Sequence, residues 1–319
     1  MKNSNQFNAL FKKAGGTGLI KQYLKSNILF HVLIQVLTQG FDKKSLEIVR
    51  HSANNKIYKR LKKNSLVMVD KFLKDYPSNN LTHHHPDVVW FCWMQGLENS
   101  PMVVRKCYES LKGNLNNKEI IVVTEDNYCN YVTFPEYIIS KYNKGLINRT
   151  QFSDLLRIEL LANHGGTWID STVFCTSPVG KEYMLNSDLF LFQTLKPGLD
   201  GQCACISSWF MTASSNQRII LLTRELLLDY WKKNDYAIDY FLLHDFFQIA
   251  IETFPEDWES VIPFSNEMPH ILLLRLFDKY DETIWNAVKD ITPFHKLTYK
   301  FDNNMTTIDD TYYKRIVDC

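Results

Sequence analysis

From residue 17 to residue 75, apolar positions recur at helical spacing: Leu24, Ile28 and Val32 in one stretch, then Leu46, Val49 and Ala53, and further on Leu66, Val69 and Leu73. A break falls near Gly40, and the whole stretch predicts a helical arm. Pro77-Ser78-Asn79-Asn80 forms a turn cluster, and residues 82–86 read as a linker. From Asp87 the pattern changes to short apolar runs alternating with helical stretches, which predicts an α/β sheet. Strands are expected over residues 88–93, 120–124 and 167–174. Ser100 and Pro101 supply an N-cap and a first-turn proline for a helix toward Lys112. Further helices are expected over 135–142, ended by Gly145, and over 150–163, closed by Gly165-Gly166. Beyond Pro178 the pattern predicts strands over 189–193 and 205–211 and helices over 216–231 and 239–251. With no internal repeat, the simplest organisation is a basic helical extension over 1–85 and one α/β domain over 86–319.

Composition adds that a 319-residue chain with 45% hydrophobic residues can bury a large core, which excludes a disordered protein. The net charge of +1 conceals an asymmetry: residues 1–85 carry 15 Lys and Arg against 4 Asp and Glu, and the remainder 21 against 31. A basic segment on an acidic body fits an anionic surface, lipid headgroups or nucleic acid, and equally an ordinary solvated helical face. The segment lacks the Arg-rich, aromatic-interleaved pattern of RNA readers and any zinc or helix-turn-helix signature, so no nucleic-acid partner is expected. The first residues do not resemble a signal peptide, so a cytoplasmic location is expected. The apolar run from Asn27 to Leu37 is about half of the ~20 residues needed to span a bilayer. It contains His31 and Gln35 and reads as a core helix or an interfacial one. Lys21, Lys25, Lys43 and Lys44 flank it, which suits shallow contact with an anionic membrane. The seven cysteines lack paired zinc-site spacing, and Cys203 and Cys205 read as packing. The His83-His84-His85 run reads as incidental rather than metal-binding.

The most informative stretch is Ser153-Asp154-Leu155-Leu156-Arg157, followed by His164-Gly165-Gly166-Thr167-Trp168-Ile169-Asp170-Ser171-Thr172. A helix puts Asp154 and Arg157 one turn apart on one face, where an ordinary ion pair is the plain reading. Strand alternation puts Trp168, Asp170 and Thr172 on one face. A carboxylate among apolar strand residues must be paired, hydrogen-bonded or bound to a cation, because desolvating it unpaired is costly. The two glycines before it permit a tight turn and close approach of another group.

This arrangement, preceded by Val88-Val89-Trp90-Phe91-Cys92-Trp93-Met94-Gln95-Gly96, resembles the capsular polysaccharide synthesis glycosyltransferases, which are related to glycosyltransferase family 32. The resemblance covers about residues 85–180 well. It implies a GT-A type, Rossmann-like nucleotide-sugar-binding domain that moves a sugar, with retention at the anomeric carbon, from a nucleotide-diphosphate donor to a saccharide acceptor. That acceptor could be lipid-linked. Trp93, with Gln95 just after it, matches the position beside the nucleotide base, although Trp90 and Trp93 also read as core aromatics. Asp154 and Arg157 match the helical residues that contact donor ribose and sugar hydroxyls, Gly165, Gly166 and Thr172 fall within the donor-binding stretch, and Asp170 matches the first aspartate of the DXD motif. The resemblance implies Mn²⁺ or Mg²⁺ on Asp170. Thr172 stands where the second aspartate belongs, and a hydroxyl is a poorer ligand for a hard cation. His244 and Asp245, polar within an apolar helical stretch, are the later candidates to complete such a site, or else a partnered core pair. Thr172 also leaves open a degenerate, non-catalytic scaffold of the same fold. A glycoside hydrolase would need two carboxylates flanking a bond, which the aspartate after Gly-Gly fits less well.

Overall fold

The computed structural model of the chain describes residues 16–76, 84–195 and 202–318. The turn cluster at 77–80, His83 and the opening residues lie outside them. Three helices come first: α1 (Gly16–Lys25), α2 (Leu29–Gln39) and α3 (Lys43–Asp75). Asp42 caps α3, its carboxylate accepting from the backbone N–H of Lys44 and Ser45. The inward stripe of α3 runs through Ser45, Val49, Ala53, Ile57, Leu61, Ser65 and Phe72. Leu66 and Leu73, which share the apolar periodicity, face outward. These helices are not set apart from the rest. Tyr23, Ile28, Val32, Ile57 and Phe72 belong to the same core cluster as the sheet's Trp90, Trp168 and Met211. Cross-links reinforce the union: Tyr58 Oη donates to Glu252 Oε1 at 2.7 Å, and Gln22 Nε2 to the carbonyl of Ile238 at 2.8 Å.

The α/β part follows as β1 (Val88–Cys92), α4 (Met102–Asn114), β2 (Glu119–Val123), α5 (Glu136–Asn143), α6 (Arg149–His164), β3 (Gly166–Asp170), β4 (Val173–Cys175), α7 (Tyr183–Asn186), β5 (Leu189–Gln193), β6 (Ile206–Ala213), α8 (Arg218–Lys233), α9 (Leu242–Thr253), β7 (Phe264–Ser265) and β8 (Phe294–Lys296). Short helical segments fill the remainder. Six strands form a mixed sheet in the order β2-β1-β3-β6-β5-β7. Its β2-β1-β3 half is parallel, and β6 runs antiparallel to both β3 and β5. Alternation sorts the side chains: Trp90 and Trp168 face α6, α8, α9 and the N-terminal helices, while Val89, Phe91, Ile169 and Phe210 face α4 and α7.

The long strand expected over 167–174 is broken. β3 ends at Asp170, Ser171 and Thr172 turn, and β4 leaves the main sheet to pair antiparallel with β8. Val173 stands opposite Lys296, and the Leu297 N–H donates to the Thr172 carbonyl at 2.8 Å. The backbone ladder therefore changes partner directly after Asp170. Ser100 does not cap α4; its hydroxyl donates to the Leu97 carbonyl instead.

Candidate active site at the carboxyl end of β3

In the parallel half of the sheet, Cys92 of β1 pairs with Val123 on one side and with Asp170 on the other, so the three strands end level. Ligands of open α/β sheets gather beyond such carboxyl ends. Asp170 is the polar residue there. Its Oδ1 accepts from Trp168 Nε1 at 2.9 Å and from Arg157 Nη2 at 3.1 Å, and its Oδ2 accepts from Lys296 Nζ at 2.9 Å. The Trp168 bond spans one strand repeat, as the alternation of positions 168 and 170 requires.

Helix α6 delivers the rest of the cluster. Asn148 and Gln151 close a capping box at its start, which sets the helix's entry. One turn on, Arg157 Nη1 donates to Asp154 Oδ1 at 2.8 Å, and the guanidinium lies 4.8 Å from the centre of the Trp168 ring. Arg157 is buried and bridges both aspartates through its planar fork. Lys296 arrives from β8, 126 residues beyond Asp170, and also donates to Thr172 Oγ1 at 2.7 Å. No local motif marks Lys296; only the pairing of β4 with β8 brings it here.

The two carboxyls are tuned apart. Burial pushes Asp154 up to about 6, Arg157 opposing that rise and the Asp170 charge adding to it. Burial also acts to raise Asp170, but Lys296, Arg157 and the Trp168 N–H outweigh it and hold the group below its ordinary value. His244, on the first turn of α9, is lowered to about 3 by burial and then by the Arg157 charge, with Asp170 opposing. His244 thus stands within electrostatic reach of the cluster. Its neighbour Asp245 is buried and pushed well up by desolvation, with the Asp239 charge adding to the rise. Successive helical residues project about 100° apart, so the two side chains leave the helix in different directions.

Trp93 follows the end of β1. Its ring meets Tyr299 edge-on at 5.5 Å, and its Nε1 is buried without a hydrogen-bond partner. Trp90, by contrast, donates its Nε1 to the Gly165 carbonyl at 2.9 Å and belongs to the core. Gln95 is exposed just past Trp93. Gly166 opens β3 at its opposite end, about 13 Å from Asp170 at four strand steps, and Gly165 precedes it as the cap of α6. A Cβ on Gly165 would meet the His84 carbonyl and the Ser215 nitrogen at 2.7 Å, and one on Gly166 the Val88 carbonyl at 2.7 Å. The close approach expected of the two glycines is made by the protein's own backbone.

A divalent cation finds poor terms here. Both Asp170 oxygens and the Thr172 hydroxyl already accept from Trp168, Arg157 and Lys296. Among the described residues no group of three or more His, Cys, Asp or Glu is arranged to hold a metal. A divalent ion on Asp170 would have to displace Lys296 Nζ and the Arg157 fork from its oxygens. The donor set as it stands does not fit Mn²⁺ or Mg²⁺.

What the cluster does offer is unused hydrogen-bonding capacity. Arg157 Nε, Trp93 Nε1 and His244 Nδ1 are all buried without a partner. Each such atom costs about 1–3 kcal/mol, and native proteins retain few without reason.

The family model described as "Capsular polysaccharide synthesis protein" matches residues 37–316 of the chain. No curated protein matches. A solved structure described as "PaToxG Glycosyltransferase" is similar at 11% identity and a TM-score of 0.40, covering 81% of this chain and 95% of its own.

Proposed function

The chain belongs to the capsular polysaccharide synthesis protein family, and from that premise we propose that it is a glycosyltransferase moving a sugar from a nucleotide-diphosphate donor to a growing surface polysaccharide. The observation that carries this reading is the cluster at the end of β3, where two aspartates of unlike acidity converge on a buried arginine whose Nε has no partner. Breaking the bond from the anomeric carbon to diphosphate places negative charge on the leaving group while the sugar becomes cationic. Fixed donors aimed at that charge lower the barrier. Trp93 and Tyr299 would take the base, Arg157 would present donors to ribose or sugar oxygens, and Asp154 would accept from sugar hydroxyls.

We propose further that the acceptor is presented at a membrane. No described helix is long and apolar enough to cross one. Helix α2, however, has two apolar faces. Ile28 and Val32 are buried in the core, whereas Phe30, Leu33, Ile34 and Leu37, at i, i+3, i+4 and i+7, are exposed. Phe30 and Leu37 are each 77% exposed. His31, bonded to Ser52 at 2.9 Å, fixes which face turns outward. An apolar stripe flanked by Lys25, Lys43 and Lys44 fits the surface of an anionic leaflet.

The test of the enzyme is release of nucleoside diphosphate from a panel of UDP- and GDP-sugars by the purified chain, with Asp170→Ala beside it. Release that disappears in the variant supports transfer. Saturable nucleotide binding with no release from any donor would favour the non-catalytic scaffold, for which Thr172 at the second DXD position speaks.

A further inference from the structure

We infer that Lys296 is the cation that meets the donor's diphosphate, occupying the ground a divalent metal would otherwise hold. The inference rests on the nucleotide-diphosphate reading above. An ammonium has three N–H donors. Two of those on Lys296 go to Asp170 Oδ2 and Thr172 Oγ1, which leaves one for a phosphate oxygen. These two acceptors are the DXD-like pair to which a metal would be assigned, and a lysine needs nothing better than a hydroxyl as its second anchor. Thr172 in place of a carboxylate is therefore explained by its partner: a second carboxylate would leave the site with one more negative charge facing the incoming diphosphate.

Lys296 is not a wandering surface side chain. The β4–β8 ladder sets its backbone opposite Val173, the Leu297 N–H fixes the next residue to Thr172, and the side chain is 19% exposed. Arg157 holds the other oxygen of the same carboxylate, so two positive charges flank Asp170 with only Asp154 to complete the balance. In the transfer step the anomeric carbon–oxygen bond breaks with its electron pair going to the diphosphate. The acceptor hydroxyl oxygen forms the new bond to the anomeric carbon, and its proton passes to solvent. Lys296 keeps its proton throughout and donates a hydrogen bond to the departing oxygen.

The experiment measures binding of UDP, GDP and the corresponding nucleosides to the full chain, in EDTA and with manganese added, for wild type, Lys296→Met and Lys296→Arg. Wild type should bind a nucleoside diphosphate equally well in EDTA and in manganese. Lys296→Met should lose about tenfold or more in diphosphate affinity while nucleoside affinity stays unchanged, a split that a folding defect would not produce. Lys296→Arg should retain most of the affinity. Binding that requires manganese, or a Lys296→Met variant that binds as wild type does, overturns the assignment of Lys296 alone. Failure of wild type to bind either nucleoside diphosphate under both conditions overturns the proposed function, and Lys296's part in it.

Discussion

The two ends of β3 differ as sharply as any two regions of the molecule. At the amino end Gly165 and Gly166 let three backbone segments meet with no room for a Cβ, Trp90 caps the Gly165 carbonyl, and Thr167 bonds Thr212 at 2.9 Å. At the carboxyl end Arg157 and Lys296 both hold Asp170, Asp154 pairs with the same guanidinium, and the buried Arg157 Nε and His244 Nδ1 have no partner. One end is closed by backbone against backbone, whereas at the other a buried arginine N–H is left without a partner. Native chains tolerate such incompleteness where a ligand supplies the missing half.

Substitutions should separate the two ends. The largest effect is expected at the tight end: Gly166→Ala forces a Cβ against the Val88 carbonyl at a φ of +92° and should cost about 4 kcal/mol. Urea denaturation reads this, and a loss below about 1 kcal/mol would mean the close approach is not essential. At the loose end, Asp170→Asn should lower turnover by about a hundredfold, or about 3 kcal/mol of barrier, while shifting stability by less than about 2 kcal/mol. Should stability fall as far as in Gly166→Ala, the contrast between the ends would disappear.

Asp154 sharpens the comparison in the opposite direction. Its folded carboxyl titrates at about 6 against an ordinary 3.8, so the folded state holds the extra proton in that window. Stability attributable to it is therefore present at low pH and lost as the pH rises from about 4 to about 6. Asp170, held low, does the reverse, contributing stability at neutral pH that fades as the solution is acidified. Asp154→Asn should accordingly gain on the order of 2 kcal/mol at pH 8, with activity lost, and the gain should close toward pH 4. Thermal melts across that range provide the check; a variant no more stable than wild type at pH 8 would refute the idea that this carboxylate is retained at a cost.

The smallest effect on folding is expected at α2. Phe30→Glu should leave stability within about 0.5 kcal/mol, because the ring is exposed, yet should reduce sedimentation with anionic vesicles about tenfold. Unchanged vesicle binding would remove the membrane from the proposal.

Much of this was legible along the chain. The helix carrying Asp154 and Arg157, the strand carrying Asp170 and the glycine stop between them all appear in the residue pattern, because cap chemistry and the periods of 3.6 and 2 act over a few residues. The facing of Leu24, Leu66 and Leu73 was not, since an apolar side chain at helical spacing does not say which neighbour will cover it, and all three face outward. His244 and Asp245 stand together in the sequence but turn to different partners.

The sequence by itself determined the alternation of strands and helices and the pairing of Asp154 with Arg157, both set by local geometry. The tertiary structure alone decided that β3 stops at Asp170, that the backbones of His84, Val88 and Ser215 close on the two glycines, and that Lys296 closes on Asp170 from 126 residues away. Those outcomes depend on which strand edges pair across the fold, and the hydrogen bonds that select them join segments whose local patterns carry no record of each other.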